Sequence, residues 1–137
     1  MSHRILVVDD NADVVHITAS FLTAKGYVVE TAIDGEHALA QIAAQRPDCV
    51  LLDVMMPNMS GIEVLNRLKE RPETASIPVI LVTAKSRDED VLSGYKEGAD
   101  YYITKPFSAQ QLIYGVRLVL GEAPAATRAD DSGSSRS

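Results

Sequence analysis

Ile5-Leu6-Val7-Val8-Asp9-Asp10 decides how the rest of the chain reads. Four consecutive aliphatic residues are too few for a buried helix. They also lack polar alternation, which marks a strand covered on both faces, as in a parallel sheet packed between helices. The run then stops at two carboxylates. Cys49-Val50-Leu51-Leu52 repeats the pattern and stops at Asp53, and Pro78-Val79-Ile80-Leu81-Val82 runs into Thr83. Tyr27-Val28-Val29 and Tyr101-Tyr102-Ile103 complete a set of five predicted strands.

Helical patterns fill the intervals. Val14, Ile17, Thr18, Phe21 and Leu22 follow one stripe, with Gly26 placed to end the helix. Ala38, Leu39, Ile42 and Ala43 form the next stripe, closed by Pro47. Three later helices open with a hydroxyl residue followed three positions on by an acceptor: Ser60 and Glu63, Ser86 and Glu89, Ser108 and Gln111. Gly98 and Gly121 suit the ends of the last two. The order is strand then helix, five times, which gives an α/β fold with a five-stranded parallel sheet and five alternating helices.

Composition limits what such a fold can be. A chain of 137 residues with 46% hydrophobic content supports one core without staples. One domain is expected over residues 1–120. Residues 121–137 are mostly Ala, Ser, Asp and Arg without large aliphatics, so they are expected to form a disordered tail. The single cysteine, Cys49, excludes an internal disulfide and reads as a buried strand residue. No apolar run reaches the roughly 20 residues of a membrane span, and no signal-peptide pattern precedes the first strand, so a cytoplasmic protein is expected. The formal net charge of −6 disfavours direct nucleic-acid binding.

Ligand sites of open parallel sheets lie beyond the carboxyl ends of the strands. Asp9 and Asp10 follow the first strand, Asp53 the third, Thr83 the fourth, and Thr104-Lys105-Pro106 the fifth. Three carboxylates at one edge repel unless a cation intervenes, and an all-oxygen set suits Mg²⁺. The Lys105 ammonium and the Thr83 hydroxyl add groups suited to phosphoryl oxygens. Together they make a site for phosphoryl transfer onto an aspartate.

Val7-Val8-Asp9-Asp10, Leu51-Leu52-Asp53-Val54-Met55-Met56-Pro57, Gly61, Val82-Thr83-Ala84 and Lys105-Pro106-Phe107 resemble the receiver domain of two-component response regulators, especially stand-alone ones. The resemblance covers residues 4 to about 120. It implies a doubly wound, flavodoxin-like sheet of strand order 2-1-3-4-5. Asp53 would be the phosphoacceptor, served by a sensor histidine kinase or a histidine phosphotransfer protein. Mg²⁺ would be held by Asp9, Asp10, Asp53 and the backbone carbonyl of Met55, with Asp10 and Asp53 binding directly. Thr83 and Tyr102 would be the switch pair, Lys105 a catalytic cation, and Lys105-Pro106 a cis peptide. The only chemistry implied is the protein's own phosphorylation and dephosphorylation, so it is expected not to be an enzyme. A downstream protein effector would read the face made by the fourth helix, fifth strand and fifth helix, which could also pair two copies weakly.

Blander readings exist for each residue alone: Asp9-Asp10 as a solvated strand end, Asp53 as a cap, Thr83 as an ordinary strand residue, Tyr102 as a fixed core aromatic. Met55, Met56 and Met59 read as loop and packing residues, and His3, His16 and His37 as surface histidines. An aspartyl-phosphate hydrolase would want an acid at position 55, where Met55 stands. A nucleotide-binding domain would want a glycine-rich loop in place of Asp9-Asp10-Asn11. A phosphorelay shuttle, an interaction module and a receiver cut from a longer regulator, for example a DNA-binding one, are the competing functions.

Overall fold

The computed structural model describes residues 2–84 and 98–122. Five strands, β1 (Arg4–Val8), β2 (Val28–Ala32), β3 (Cys49–Asp53), β4 (Val79–Ala84) and β5 (Tyr101–Lys105), form one sheet. Its order is β2-β1-β3-β4-β5, and every pairing is parallel. Helices α1 (Ala12–Ala24), α2 (Gly35–Ala44) and α3 (Gly61–Lys69), a single turn α4 (Pro72–Ala75), and α5 (Ala109–Leu120) connect or follow the strands.

Alternation along each buried strand feeds two cores. Leu6, Val8, Val50, Leu52, Val79 and Leu81 pack with Ala38 and Ile42 of α2 and Val64, Leu65 and Leu68 of α3. Ile5, Val7, Cys49, Leu51, Ile80 and Val82 pack on the other side with Leu22 of α1 and Leu112 and Val116 of α5. Continuous apolar runs are therefore required, because neither side chain of an adjacent pair reaches water. Tyr101 belongs to the α5 side and Tyr102 to the α2–α3 side, as period-2 alternation demands.

Several details differ from expectation. The buried ridge of α1 is Val15, Thr18 and Leu22; Val14 and Phe21 flank it and Ile17 is 51% exposed. Because α1 packs against both sheet and α5, its inward direction lies between the two, rotated from the stripe read by hydropathy alone. Ala43 is likewise exposed on α2. The turn α4, opened by Pro72 at its first position, is too short for periodicity to reveal. Strand β2 starts after Tyr27 and runs to Ala32, while β4 and β5 extend to the site residues Ala84 and Lys105.

Caps separate similarly. Ser108 and Gln111 form a complete reciprocal box. Ser60 accepts from the Glu63 N–H, but the Glu63 carboxylate pairs with Arg67 instead of returning to the backbone. The Ser86–Glu89 helix, with Val91, Leu92 and Tyr95, lies outside the described residues. Gly121 ends α5 in the left-handed region at φ 75°. Just beyond α5, Glu122 accepts from the Tyr27 hydroxyl at 2.7 Å and pairs with His3. His3 thus has a structural partner that no local pattern disclosed.

Candidate functional site

The carboxyl ends of β1, β3, β4 and β5 converge because adjacent parallel strands run in register. Val8 lies opposite Leu52, Asp53 opposite Val82, and Thr83 opposite Thr104. Asp9 and Asp53 are 3% and 5% exposed, whereas Asp10 faces solvent. One carboxylate oxygen from each of Asp9, Asp10 and Asp53 lies within 4.8 Å of the others.

Lys105 closes the site from the end of β5. Its Nζ lies 2.9 Å from Asp9 Oδ2 and 3.3 Å from Asp53 Oδ1. The following Lys105–Pro106 bond is cis. Burial pulls the Lys105 ammonium down, but its hydrogen bond to Asp9 and the charges of Asp53 and Asp9 hold its pKa above the ordinary lysine value. The Asp53 carboxyl is pushed up to about 6, first by burial and then by Asp9, with Lys105 opposing and Asp10 adding to the rise. Three carboxylates face one ammonium, so the edge carries surplus negative charge. An all-oxygen donor set of this kind fits a hard divalent cation such as Mg²⁺.

Thr83 is buried, and its hydroxyl donates a long bond to the Ala84 carbonyl at 3.4 Å. Tyr102 is half-buried against the α2–α3 core. Met55 begins the loop after β3 with its side chain 49% exposed, while Met56 and Met59 turn inward.

Two supports escaped the sequence reading. Asn11 caps α1 by accepting from the N–H groups of Asp13 and Val14, and its own N–H donates to Asp9 Oδ1 at 2.9 Å. An Asn directly before a helical pattern is a cap signal that could have revealed it. Gly61 stood out only as a motif residue. A Cβ there would lie 2.3 Å from the Asp53 carbonyl oxygen, and its N–H donates to Val54 O at 2.9 Å.

The chain is similar in sequence and fold to known proteins. The family model of the response regulator receiver domain matches residues 5–117. Response regulator PleD of Caulobacter vibrioides is 47% identical over 117 residues, covering 85% of this chain and 26% of PleD. The alkaline phosphatase synthesis transcriptional regulatory protein PhoP of Bacillus subtilis is 40% identical over 120 residues, covering 88% and 49%. The chain thus spans about half or less of the length of these curated relatives. The crystallised chemotaxis protein CheY4 of Vibrio cholerae superposes with a TM-score of 0.82 at 30% identity, covering 87% of this chain and 99% of that one.

Proposed function

Since the chain belongs to the response regulator receiver domain family, we propose that it is a phosphorylation-controlled switch whose acceptor is Asp53. The donor is a phosphohistidine on a sensor kinase or histidine phosphotransfer protein. An Asp53 oxygen forms the new O–P bond as the donor's P–N bond breaks, and the imidazole departs with that electron pair. With its pKa pushed up to about 6, Asp53 is still ionised at neutral pH and able to attack. Lys105 steadies negative charge on the phosphoryl oxygens. Asp10, Asp53 and the Met55 carbonyl would hold Mg²⁺ directly, with Asp9 beside them, and the bound ion would supply further neutralisation of those oxygens.

The observation that carries this reading is the juxtaposition of three carboxylates with the Lys105 amine at 2.9 and 3.3 Å from two of them. In the phosphorylated state the Thr83 hydroxyl moves onto the phosphoryl group and Tyr102 follows it inward. That change re-forms the face around β5 and α5 which a protein effector reads, and on which two copies could pair weakly. Residues 1–120 act as the receiver unit, in the cytoplasm where such kinases present their histidines. The chemistry is confined to the protein's own acyl phosphate, so it is a regulator and not an enzyme with turnover on a separate substrate. Within a longer regulator, which PhoP and PleD exemplify by their greater length, the same face would address an attached domain.

The test is transfer from a radiolabelled phosphohistidine donor to the full chain, followed by effector capture. Label on the native chain and none on Asp53→Asn is expected. Undiminished labelling of Asp53→Asn would contradict the assignment. An effector that binds both forms equally would favour the shuttle instead.

A further inference from the structure

Gly35 opens α2 with an ordinary backbone angle, unlike Gly26, Gly98 and Gly121, which have positive φ. Conformation therefore does not call for glycine here, and alanine would be the better helix former. What excludes a side chain is a contact. A Cβ at Gly35 would lie 2.9 Å from Met59 Sδ, 2.9 Å from Val64 Cγ2 and 3.1 Å from Met59 Cβ. Met59 belongs to the loop that joins Asp53 to α3, and it is only 8% exposed.

The loop's own geometry drives Met59 to that place. Asn58 takes a left-handed φ of 70°, and the Met59 N–H donates to the Pro57 carbonyl at 2.8 Å. This tight turn points Met59 at the start of α2. At the loop's far end Gly61 abuts the Asp53 carbonyl. The Val54 N–H donates to the Val82 carbonyl of β4 at 3.0 Å, and the Gly35–Met59 contact adds a hold from α2.

We infer that Gly35 is a positioning residue for the acceptor site: by presenting bare backbone to Met59, it seats residues 54–60 so that Asp53 and the Met55 carbonyl keep their relative placement. The inference rests on the proposed phosphoryl transfer. It adds that the start of α2, which contributes no group to the chemistry, sets the geometry of the site. A methyl at position 35 must displace Met59 or Val64. Val64 is fully buried in the α3 core, so the loop yields. A misplacement of about 1 Å at a reacting centre can cost on the order of a hundredfold in rate, so a smaller shift passed on from Met59 is expected to cost roughly tenfold.

The experiment compares the native chain, Gly35→Ala, Met59→Ala and the double variant by three readouts. These are Mg²⁺ affinity by calorimetry, phosphorylation rate with acetyl phosphate, and thermal unfolding. Gly35→Ala is expected to lose roughly tenfold in Mg²⁺ affinity and in rate while remaining folded. Met59→Ala, which removes the knob without overfilling the core, should lose several-fold in both. The double variant should recover most of the loss, because its new methyl fills space that Met59 vacated. If Gly35→Ala unfolds, Met59→Ala decides the matter alone. Native Mg²⁺ affinity and rate in whichever single variant folds, whatever the drop in unfolding temperature, would overturn the inference. A native chain that takes no phosphoryl group would instead refute the proposed function, while the Mg²⁺ comparison would still test the seat.

Discussion

Asp53 is charged at some cost to the fold. Its pKa of about 6, against an ordinary 3.8, means that between those pH values the folded chain retains a proton there that the unfolded chain has released. The associated stability is fully present below pH 3.8 and is lost as pH rises through about 6. That difference corresponds to roughly 3 kcal/mol at most. Asp53→Asn should therefore raise the unfolding temperature at pH 8 and lose that advantage near pH 4. Thermal scans at the two pH values check this; an equal shift at both would show that the charge is not the cause. Met55, exposed beside the acceptor, offers no polar group to orient an attacking water. Met55→Asn should accelerate decay of the acyl phosphate several-fold, measured as loss of label over time, and unchanged decay would contradict that role.

Elements put these residues in place, and their legibility varied with how local the cause was. β1, β3 and β4 were readable because a strand buried on both faces must be apolar throughout, and the polar residues at their carboxyl ends, Asp9, Asp53 and Thr83, were readable with them. The burial of α1 was less so. Ile17 looked like core on its own helix, but with α1 seated on both the sheet and α5 it faces solvent. The His3–Glu122–Tyr27 clasp joins residues far apart in the sequence and has no local pattern at all. Gly61 shows how an element's end governs chemistry: α3 approaches so closely that any side chain meets the Asp53 backbone. Gly61→Ala should cost about 2 kcal/mol or more, as overpacking against rigid backbone does. Denaturant unfolding measures it, and a loss below about 0.5 kcal/mol would mean that the α3 end yields freely.

At the scale of the molecule, two cores clamp a five-stranded sheet and leave its carboxyl edge as the place where buried charge collects. No helix among the described residues is long and apolar enough to cross a membrane. The edge joins acids at the ends of β1 and β3 with a lysine from β5, so the site exists only when β1, β3, β4 and β5 lie side by side in that order. That dependence is why no single motif sufficed and why the set of strand ends did. The most direct measurement of the central claim is borohydride reduction of the chain after incubation with acetyl phosphate and Mg²⁺, followed by peptide mass spectrometry. The account predicts one reduced aspartyl site, at Asp53, that disappears when Mg²⁺ is chelated. Reduction at a different aspartate, or none with Mg²⁺ present, would contradict it.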